Sequence, residues 1–334
     1  VSYTVTDNNG CSSVTQTETI TVNARPTTTI AVAPNEVCLN EDITILATPT
    51  DVGGSGIASH AWTITPGTGN GTIADATIED AVFTGTAAGT VTLTYVTTDN
   101  NGCTSIPVNH VVTVNPLPTV SVPAGQPDQV CISDNIDFSV TVADGSGTYT
   151  TLTATQTGGT GTGTVTLNAG TAVAVTNATD PTTIPAAINV VGTAAGTVEI
   201  TLTLTDDEGC TDTEVYTIVV NPLPTAGVIT GPTNVCEGDM ITLDGNPALG
   251  SGSYVDHNWE ITGNTGNATI NGAATGITGG VGLVGNNDGT AILTAVADGT
   301  IDIRYQVEDN NGCISTFSAT YTVTVDDEPT ITLG

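Results

Sequence analysis

One phrase returns four times along this chain and constrains its fold more than any other feature of the sequence. Each copy has alternating threonine and apolar residues, then an Asp-rich turn with a glycine, then a cysteine, at residues 3–11, 95–103, 202–210 and 305–313. The cysteines that end successive copies are 92, 107 and 103 residues apart. A repeat of this length predicts a tandem array of similar domains, each large enough to bury its own core.

A proline-containing joint follows each copy after a further short stretch of chain. The joints have the sequences Asn-Ala-Arg-Pro-Thr, Asn-Pro-Leu-Pro-Thr (twice) and Asp-Asp-Glu-Pro-Thr. Cutting the chain at the joints predicts three whole repeats of about 100 residues, a usual domain size. The predicted divisions are 1–25 (the last strands of a preceding repeat), 26–116, 117–222, 223–325 and 326–334 (the start of a next repeat).

Within each repeat the apolar residues recur with a period of two, and Gly, Asn, Asp and Pro separate the apolar runs. No segment has the pattern of a long helix. Many short strands at this spacing favour an all-β fold, a series of immunoglobulin-like antiparallel β-sandwiches arranged as a rod. In the first repeat the pattern predicts strands at residues 29–32, 43–47, 61–64, 91–96 and 108–114.

Two tryptophans fit this type of sandwich. Trp62 and Trp259 occur in the matching contexts Ser-His-Ala-Trp-Thr-Ile and Asp-His-Asn-Trp-Glu-Ile, 24 and 23 residues after a cysteine. A tryptophan on the third strand commonly fills the centre of an immunoglobulin-like core. We therefore expect both to be core anchors, and we expect Tyr149 or Leu152 to occupy that space in the middle repeat, which lacks tryptophan.

The charge of the chain limits the classes of molecule that it can bind. Its 34 acidic residues face only two basic ones, Arg25 and Arg304, and the net charge is −32. Nucleic acid and anionic membrane surfaces are excluded as partners, because binding them requires Lys and Arg. No apolar run approaches the ~18 residues of a membrane span, so we expect no membrane insertion.

Calcium is the natural counter-charge for such a chain, and it prefers several carboxylate and carbonyl oxygens from loops. An ordinary tight turn explains the Asp-Asn-Asn-Gly sequence equally simply, since Asn and Gly tolerate positive φ. We expect no other cofactor. Acidic residues gather near the cysteines, and the candidate calcium ligands are Asp42, Asp134, Asp206, Asp207 and Asp309.

The seven cysteines recur at fixed positions of the repeat, which indicates a disulfide framework made in an oxidising compartment. Three lie just before the second strand and four just after the penultimate strand. Two schemes are open. Pairing within repeats would join Cys38 to Cys103, Cys131 to Cys210 and Cys236 to Cys313. Pairing between consecutive repeats would join Cys38 to Cys210 and Cys131 to Cys313, leaving Cys11, Cys103 and Cys236 for repeats outside this sequence.

Strand direction slightly favours pairing between repeats. In this topology the second and penultimate strands run the same way, so the start of one and the end of the other lie at opposite ends of the domain. A strand of this length separates them by roughly 20 to 35 Å. A disulfide requires Cα atoms within about 7 Å. Consecutive repeats, in contrast, bring one cysteine of each kind to the same joint.

The chain resembles the PKD-like and Ig-like tandem repeats of very large bacterial surface proteins. The phrases that carry the resemblance are Gly-Thr-Val-Thr-Leu-Thr-Tyr followed by Thr-Asp-Asn-Asn-Gly-Cys (residues 89–95 and 98–103) and Val-Cys-Leu-Asn-Glu-Asp (residues 37–42). Such repeats occur in gliding-motility adhesins and related proteins exported by the type IX route. The resemblance implies a bacterial, extracellular, cell-surface location.

These observations predict a non-enzymatic, disulfide-stabilised stalk or filament segment of an extracellular bacterial adhesin. Its expected partners are the neighbouring repeats, other copies in a filament, and surface or polysaccharide ligands bound through regions outside this sequence. One alternative is a subunit that assembles into extracellular fibres. The other is a set of carbohydrate-binding modules of a secreted enzyme, which would need exposed aromatic residues.

Overall fold

The computed structural model describes residues 1–31, 34–167, 187–264, 268–270, 273–274, 284–286 and 289–331. Within these ranges the chain forms strands and no helix. A short antiparallel pair, β1 (Ser2–Tyr3) and β2 (Gln16–Thr17), comes first. Three immunoglobulin-like β-sandwiches follow in tandem, in agreement with the predicted all-β fold.

The first sandwich places two layers of strands face to face. One sheet has the order β4-β11-β10-β7, and the opposite layer consists of the pair β3-β6 and the sheet β5-β9-β8. Its strands are β3 (Thr27–Ile30), β4 (Glu36–Cys38), β5 (Asp42–Ile45), β6 (Ala47–Thr50), β7 (Ile57–Pro66), β8 (Asn70–Ile73), β9 (Ala81–Ala87), β10 (Gly89–Asp99) and β11 (Val108–Asn115).

The second sandwich repeats this arrangement strand for strand. Its sheet β13-β20-β19-β16 lies opposite β12-β15 and β14-β18-β17. Its strands are β12 (Pro118–Ser121), β13 (Gln129–Cys131), β14 (Asn135–Ser139), β15 (Thr141–Asp144), β16 (Tyr149–Gly158), β17 (Thr162–Leu167), β18 (Ala187–Ala194), β19 (Gly196–Asp206) and β20 (Thr211–Asn221).

The third sandwich adds two short strands to the same plan, one in each of its larger sheets. The orders are β22-β31-β30-β25-β28, β21-β24 and β23-β29-β26-β27. Its strands are β21 (Pro224–Thr225), β22 (Asn234–Cys236), β23 (Met240–Asp244), β24 (Ala248–Leu249), β25 (Tyr254–Asn264), β26 (Ala268–Ile270), β27 (Ala273–Ala274), β28 (Val284–Asn286), β29 (Thr290–Ala295), β30 (Gly299–Asp309) and β31 (Tyr321–Asp326).

Alternation along the penultimate strands forms the cores. On β10, Val91, Leu93 and Tyr95 are buried between the layers, while the threonines between them face outward. Successive side chains of a strand point to opposite faces, so this sequence is suited to a strand with one face in the core. β19 and β30 have the same burial pattern.

The two tryptophans lie in the cores of the first and third sandwiches. The Trp62 ring packs 4.6 Å from the Tyr95 ring, and Trp259 packs 4.7 Å from Tyr305, centroid to centroid. Each tyrosine hydroxyl also forms a 2.5 Å hydrogen bond with a histidine Nδ1, from His60 and His257 respectively. In the second sandwich Tyr149 and Leu152 are both buried in the core cluster.

Strand direction places the two kinds of cysteine at opposite ends of each sandwich. β4 runs parallel to β11, and Cys38 pairs with Asn115, the last residue of β11. β10 is antiparallel to β11 and ends at Asp99, so the turn to Cys103 lies at the other end. In each sandwich we call the end where the last strand finishes the far end, and the end where the penultimate strand finishes the near end. In the first sandwich these strands are β11 and β10.

Candidate functional site, the disulfide-linked joints

The near-end turns, residues 7–11, 99–103, 206–210 and 309–313, share one hydrogen-bonding pattern. In the second repeat the Asp206 Oδ1 accepts a hydrogen bond from the Cys210 N–H at 2.8 Å. The backbone closes the same turn, since the Asp206 N–H donates to the Cys210 carbonyl at 3.0 Å. The other three turns contain both bonds, at 2.8 to 3.0 Å. The aspartate therefore fixes the position of the cysteine.

The aspartates of the three whole repeats are buried within their own domains. The exposed fraction of Asp99, Asp206 and Asp309 is 1% or less. The second carboxylate oxygen accepts from the Ser146 N–H at 3.2 Å in the second repeat, and from the Ser251 N–H at 2.8 Å in the third. These bonds tie the near-end turn to the loop that precedes β16 in the second repeat and β25 in the third.

The far-end segments, residues 36–42, 129–135 and 234–240, carry the other cysteines. In the first repeat the Leu39 N–H donates to the Asn115 carbonyl at 2.9 Å, directly after the parallel pairing of Cys38. The Ile132 N–H donates to the Asn221 carbonyl at 3.1 Å in the same way. Each far-end cysteine is thereby held beside the residue from which the chain leaves for the next repeat.

The disulfides of the structure join consecutive repeats. Cys38 is bonded to Cys210 and Cys131 to Cys313, and the Cα atoms are 5.6 Å apart in both pairs. Pairing within a repeat would require a bond along the length of a strand such as β10, about 36 Å for its 11 residues. Cys103 is partly exposed and unbonded, and Cys11 and Cys236 are exposed and unbonded.

The linked cysteines lie in packed surroundings. Cys210 and Cys313 are exposed by only 1% and 0%, and Cys131 by 7%. Cys38 is half-buried. A disulfide shielded in this way meets few thiols from solution. The joints between the repeats are thus closed at two covalent points, the peptide chain and the disulfide.

The two joints differ in the residues that lie two positions before each cysteine. In the first joint these are Glu36 and Glu208, and the charge of Glu36 is the main cause of a raised pKa of Glu208. In the second joint they are Gln129 and Asn311, which line one small cavity of about 200 Å³. One joint therefore contains a contact between like charges, and its counterpart contains two amides.

The predicted calcium ligands do not form a suitable donor set. The carboxylates of Asp206 and Asp309 are occupied by amides of their own repeats, and Asp42 accepts a hydrogen bond from the Thr84 hydroxyl. Asp134 and Asp207 have exposed side chains. Across the described ranges no three His, Cys, Asp or Glu side chains come together as metal ligands would. Asp206 and Asp309 bind their own turns.

The cysteines of the joints were identified from the sequence. The hydrogen-bonded His–Tyr pairs of the cores were not. His60 and Tyr95 lie on neighbouring strands, β7 and β10, at positions 35 residues apart in sequence. The repeated His-x-Trp context was the available signal, because His60 and His257 both precede a core tryptophan by two residues.

The described part of the chain also lacks a helix long and apolar enough to cross a membrane.

Similarity to known proteins is confined to solved structures. No protein-family model matches the sequence, and no curated protein is significantly similar to it. Three consecutive immunoglobulin domains of titin align with 92% of this chain and 100% of their own, at 10% identity and a TM-score of 0.35.

Two bacterial structures are similar to a comparable degree. Invasin, a bacterial integrin-binding protein, aligns with 90% of this chain over 59% of its own, at 16% identity and a TM-score of 0.33. Fibronectin(III)-like modules of Clostridium thermocellum CbhA align with 65% of this chain and 100% of their own, at 13% identity and a TM-score of 0.29. At these identities and TM-scores the similarities identify no family for the chain.

Proposed function

We propose that this chain is a non-enzymatic stalk segment of an extracellular bacterial surface adhesin, in which disulfides between consecutive repeats limit bending and extension. The observation that carries the proposal is the pairing of Cys38 with Cys210 and of Cys131 with Cys313. Both bonds cross a joint, and neither closes a single domain. Disulfides of this kind are made and kept in oxidising compartments, which supports a location outside the cytoplasm.

The disulfides overlap along the chain, and this matters for a segment under tension. The bonded cysteines are 172 and 182 residues apart in sequence, and the second loop begins inside the first. Because each pair of bonded cysteines moves together, three parallel stretches of chain share the tension between Cys38 and Cys313: residues 38–131, 131–210 and 210–313. Unfolding in this region therefore stops lengthening the chain once the shortest of these stretches, residues 131–210, is fully extended.

The joints add a second restriction on bending. Pro116 and Pro118 lie between the first and second repeats, and Pro222 and Pro224 between the second and third. Proline fixes φ near −65° and favours extended linkers with little flexibility. A proline linker and a disulfide together hold each joint at two points, which suits a stalk that keeps a distal binding region away from the cell.

The proposal is tested by the shape of the chain in solution and by its location on cells. Small-angle X-ray scattering of the oxidised chain should give a narrow distribution of lengths, and reduction under native conditions should broaden it. An unchanged distribution after complete reduction would show that the disulfides do not stiffen the joints. Immunogold labelling of intact source cells should mark their outer surface, and label confined to the cytoplasm would contradict the adhesin.

A further inference from the structure

The far end of the second repeat contains a groove into which the third repeat reaches. Gln129, Cys131, Asp134 and Asn221 are among the residues that line it, and Asn311 enters from the near-end turn of the third repeat. That turn is the one whose Cys313 is bonded to Cys131. The groove is therefore the receiving side of an observed joint.

The far end of the third repeat has a groove at the equivalent positions. Asn234, Cys236, Asp239 and Asp326 line it, together with Met240, and its volume is about 330 Å³. No residue of another repeat lines this groove among the described residues. Cys236 is exposed, and Met240 is 67% exposed.

The open groove already has the backbone arrangement of the filled one. In the third repeat the Glu237 N–H donates to the Asp326 carbonyl at 3.0 Å, and the Asp239 N–H donates to the Cys236 carbonyl at 3.1 Å. The matching bonds of the second repeat, from Ile132 to Asn221 and from Asp134 to Cys131, are both 3.1 Å. A partner therefore meets a preorganised surface and pays little ordering entropy on binding.

We propose that this groove, lined by Asn234, Cys236, Asp239, Met240 and Asp326, is the docking site for the near-end turn of a further repeat of the same kind, which follows in tandem after the joint at residues 326–330. Cys236 forms a disulfide with the cysteine of that turn. The two thiols lose two protons and two electrons to a disulfide donor of the oxidising compartment, which is reduced to a dithiol. This inference rests on the proposed function, because it extends the same type of joint.

The groove also selects among turns. Asn234 occupies the position of Gln129, which in the filled groove lies with the amide of Asn311. An asparagine two residues before the cysteine, as in the turn at residues 309–313, matches this surface. The turn at residues 206–210 has Glu208 at that position and a second carboxylate at Asp207. It would bring negative charge toward Asp239 and Asp326, where like charges in contact are unfavourable.

Short peptides can test the docking, because the aspartate closes the near-end turn with bonds inside five residues. The test uses the full chain and two peptides, residues 307–315 and residues 204–212, each with its cysteine activated as a 2-pyridyl disulfide. The Cys236 thiolate attacks the peptide sulfur, a new disulfide forms, and 2-thiopyridone leaves. Peptide mapping by mass spectrometry then gives the rate at each cysteine, with exposed Cys11 as the internal control.

The peptide of residues 307–315 should label Cys236 at least about tenfold faster than Cys11, because docking raises the local concentration of its disulfide. The peptide of residues 204–212 should label both cysteines at similar rates. Replacing the peptide's aspartate by alanine, D309A, should remove the preference. Equal rates at Cys236 and Cys11 with the first peptide would overturn the proposal.

The same peptide mapping distinguishes failure of this docking proposal from failure of the proposed stalk function. It also distinguishes docking of a following repeat from docking of a second copy of the chain. If peptide mapping finds Cys38–Cys210 and Cys131–Cys313 intact but no preference for Cys236, only the docking proposal is overturned. Absence of those two disulfides would count against the proposed stalk function. Cross-links between Cys236 and Cys103 of two chains would assign the groove to a second copy and overturn the tandem assignment.

Discussion

The Asp206 carboxylate accepts a hydrogen bond from the Cys210 N–H, and the Cys210 sulfur is bonded to a cysteine of the preceding repeat. The turn that ends the penultimate strand is thus directly connected to the joint. Because Asp206 is almost fully buried and bonds a loop of its own repeat as well, the joint is anchored in the core of the domain.

Replacing Asp206 by alanine should lower the free energy of unfolding of the second repeat by about 1 to 3 kcal/mol, the cost of leaving buried partners of a charged group unsatisfied. Asp206→Asn should cost less, since its amide oxygen can still accept from Cys210. Urea unfolding followed by circular dichroism measures both. Asp7→Ala is the matched control, because Asp7 is exposed and should change stability by less than ~0.5 kcal/mol. Equal decreases in the free energy of unfolding for Asp206→Ala and Asp7→Ala would contradict a structural role of the buried Asp206 carboxylate.

The overlapping disulfides should set the contour length of the unfolded chain. Pulling the oxidised chain by its ends should fully extend only residues 131–210 between Cys38 and Cys313. Reduction should free roughly 200 more residues and release about 650 to 700 Å at ~3.3 to 3.6 Å per residue. Single-molecule force spectroscopy measures this difference directly.

Single and double variants separate the two bonds in that experiment. Cys38→Ser should lengthen the oxidised parent by only about 50 Å, because Cys131–Cys313 alone still bypasses 182 residues. The double variant with Cys131→Ser should extend fully without reductant. A full extension of Cys38→Ser alone would mean that the second disulfide is absent.

The like-charge contact of the first joint should be visible as a coupled titration. The negative charge of Glu36, followed by partial removal from water and the charge of Asp207, raises the pKa of Glu208. Glu36→Gln should therefore lower the pKa of Glu208 toward its ordinary range, as followed by NMR titration of the side-chain carbonyl.

The sign of this effect on stability follows from the raised pKa. The contact opposes the folded joint above the pKa of Glu208, and the opposition is relieved as the pH falls through that value. Glu41→Gln is the control, because Glu41 lies in the same far-end segment and does not contribute to the shift of Glu208. A Glu208 pKa that is the same in Glu36→Gln and in the parent would refute the contact.

The core tyrosines should make the chain sensitive to alkali. Burial, aided by the negative charge of Glu79, raises the pKa of Tyr95 to about 12, against about 10 in an unfolded chain. The folded state holds this proton more tightly, so the stabilisation is complete below pH ~10 and is lost as the pH rises toward ~12. Urea unfolding between pH 8 and pH 11 measures the decline.

Tyr95→Phe separates the two contributions of this hydroxyl. It removes the hydrogen bond to His60 and should cost about 1 kcal/mol at pH 8. It should also make the decline above pH 10 shallower than in the parent. The pKa of Tyr305 is raised as well, by burial, so part of the decline should remain. Identical slopes for the parent and Tyr95→Phe would show that Tyr95 does not titrate in this range.

Strand positions were predictable from the sequence, because apolar residues recur with a period of two within the strands. The ends of the strands were not predictable. The segment predicted at residues 61–64 belongs to β7, which runs from Ile57 to Pro66. Its added residues pair with β10 through backbone hydrogen bonds, and such bonds do not depend on the side chains. Polar outward-facing residues such as Ser59 and Thr65 hide this pairing from a pattern based on hydrophobicity.

The sequence by itself determined the repeat, the all-β class and the end of the sandwich at which each cysteine lies, because recurrence and the period of two are local properties of the chain. It left two pairings of the cysteines open. Only the tertiary structure decided that the near-end turn of one repeat lies against the far end of the previous one, with Cys210 beside Cys38. It also decided that Asp206 and Asp309 bind their own turns, since burial and hydrogen-bond partners depend on which strands come together in space.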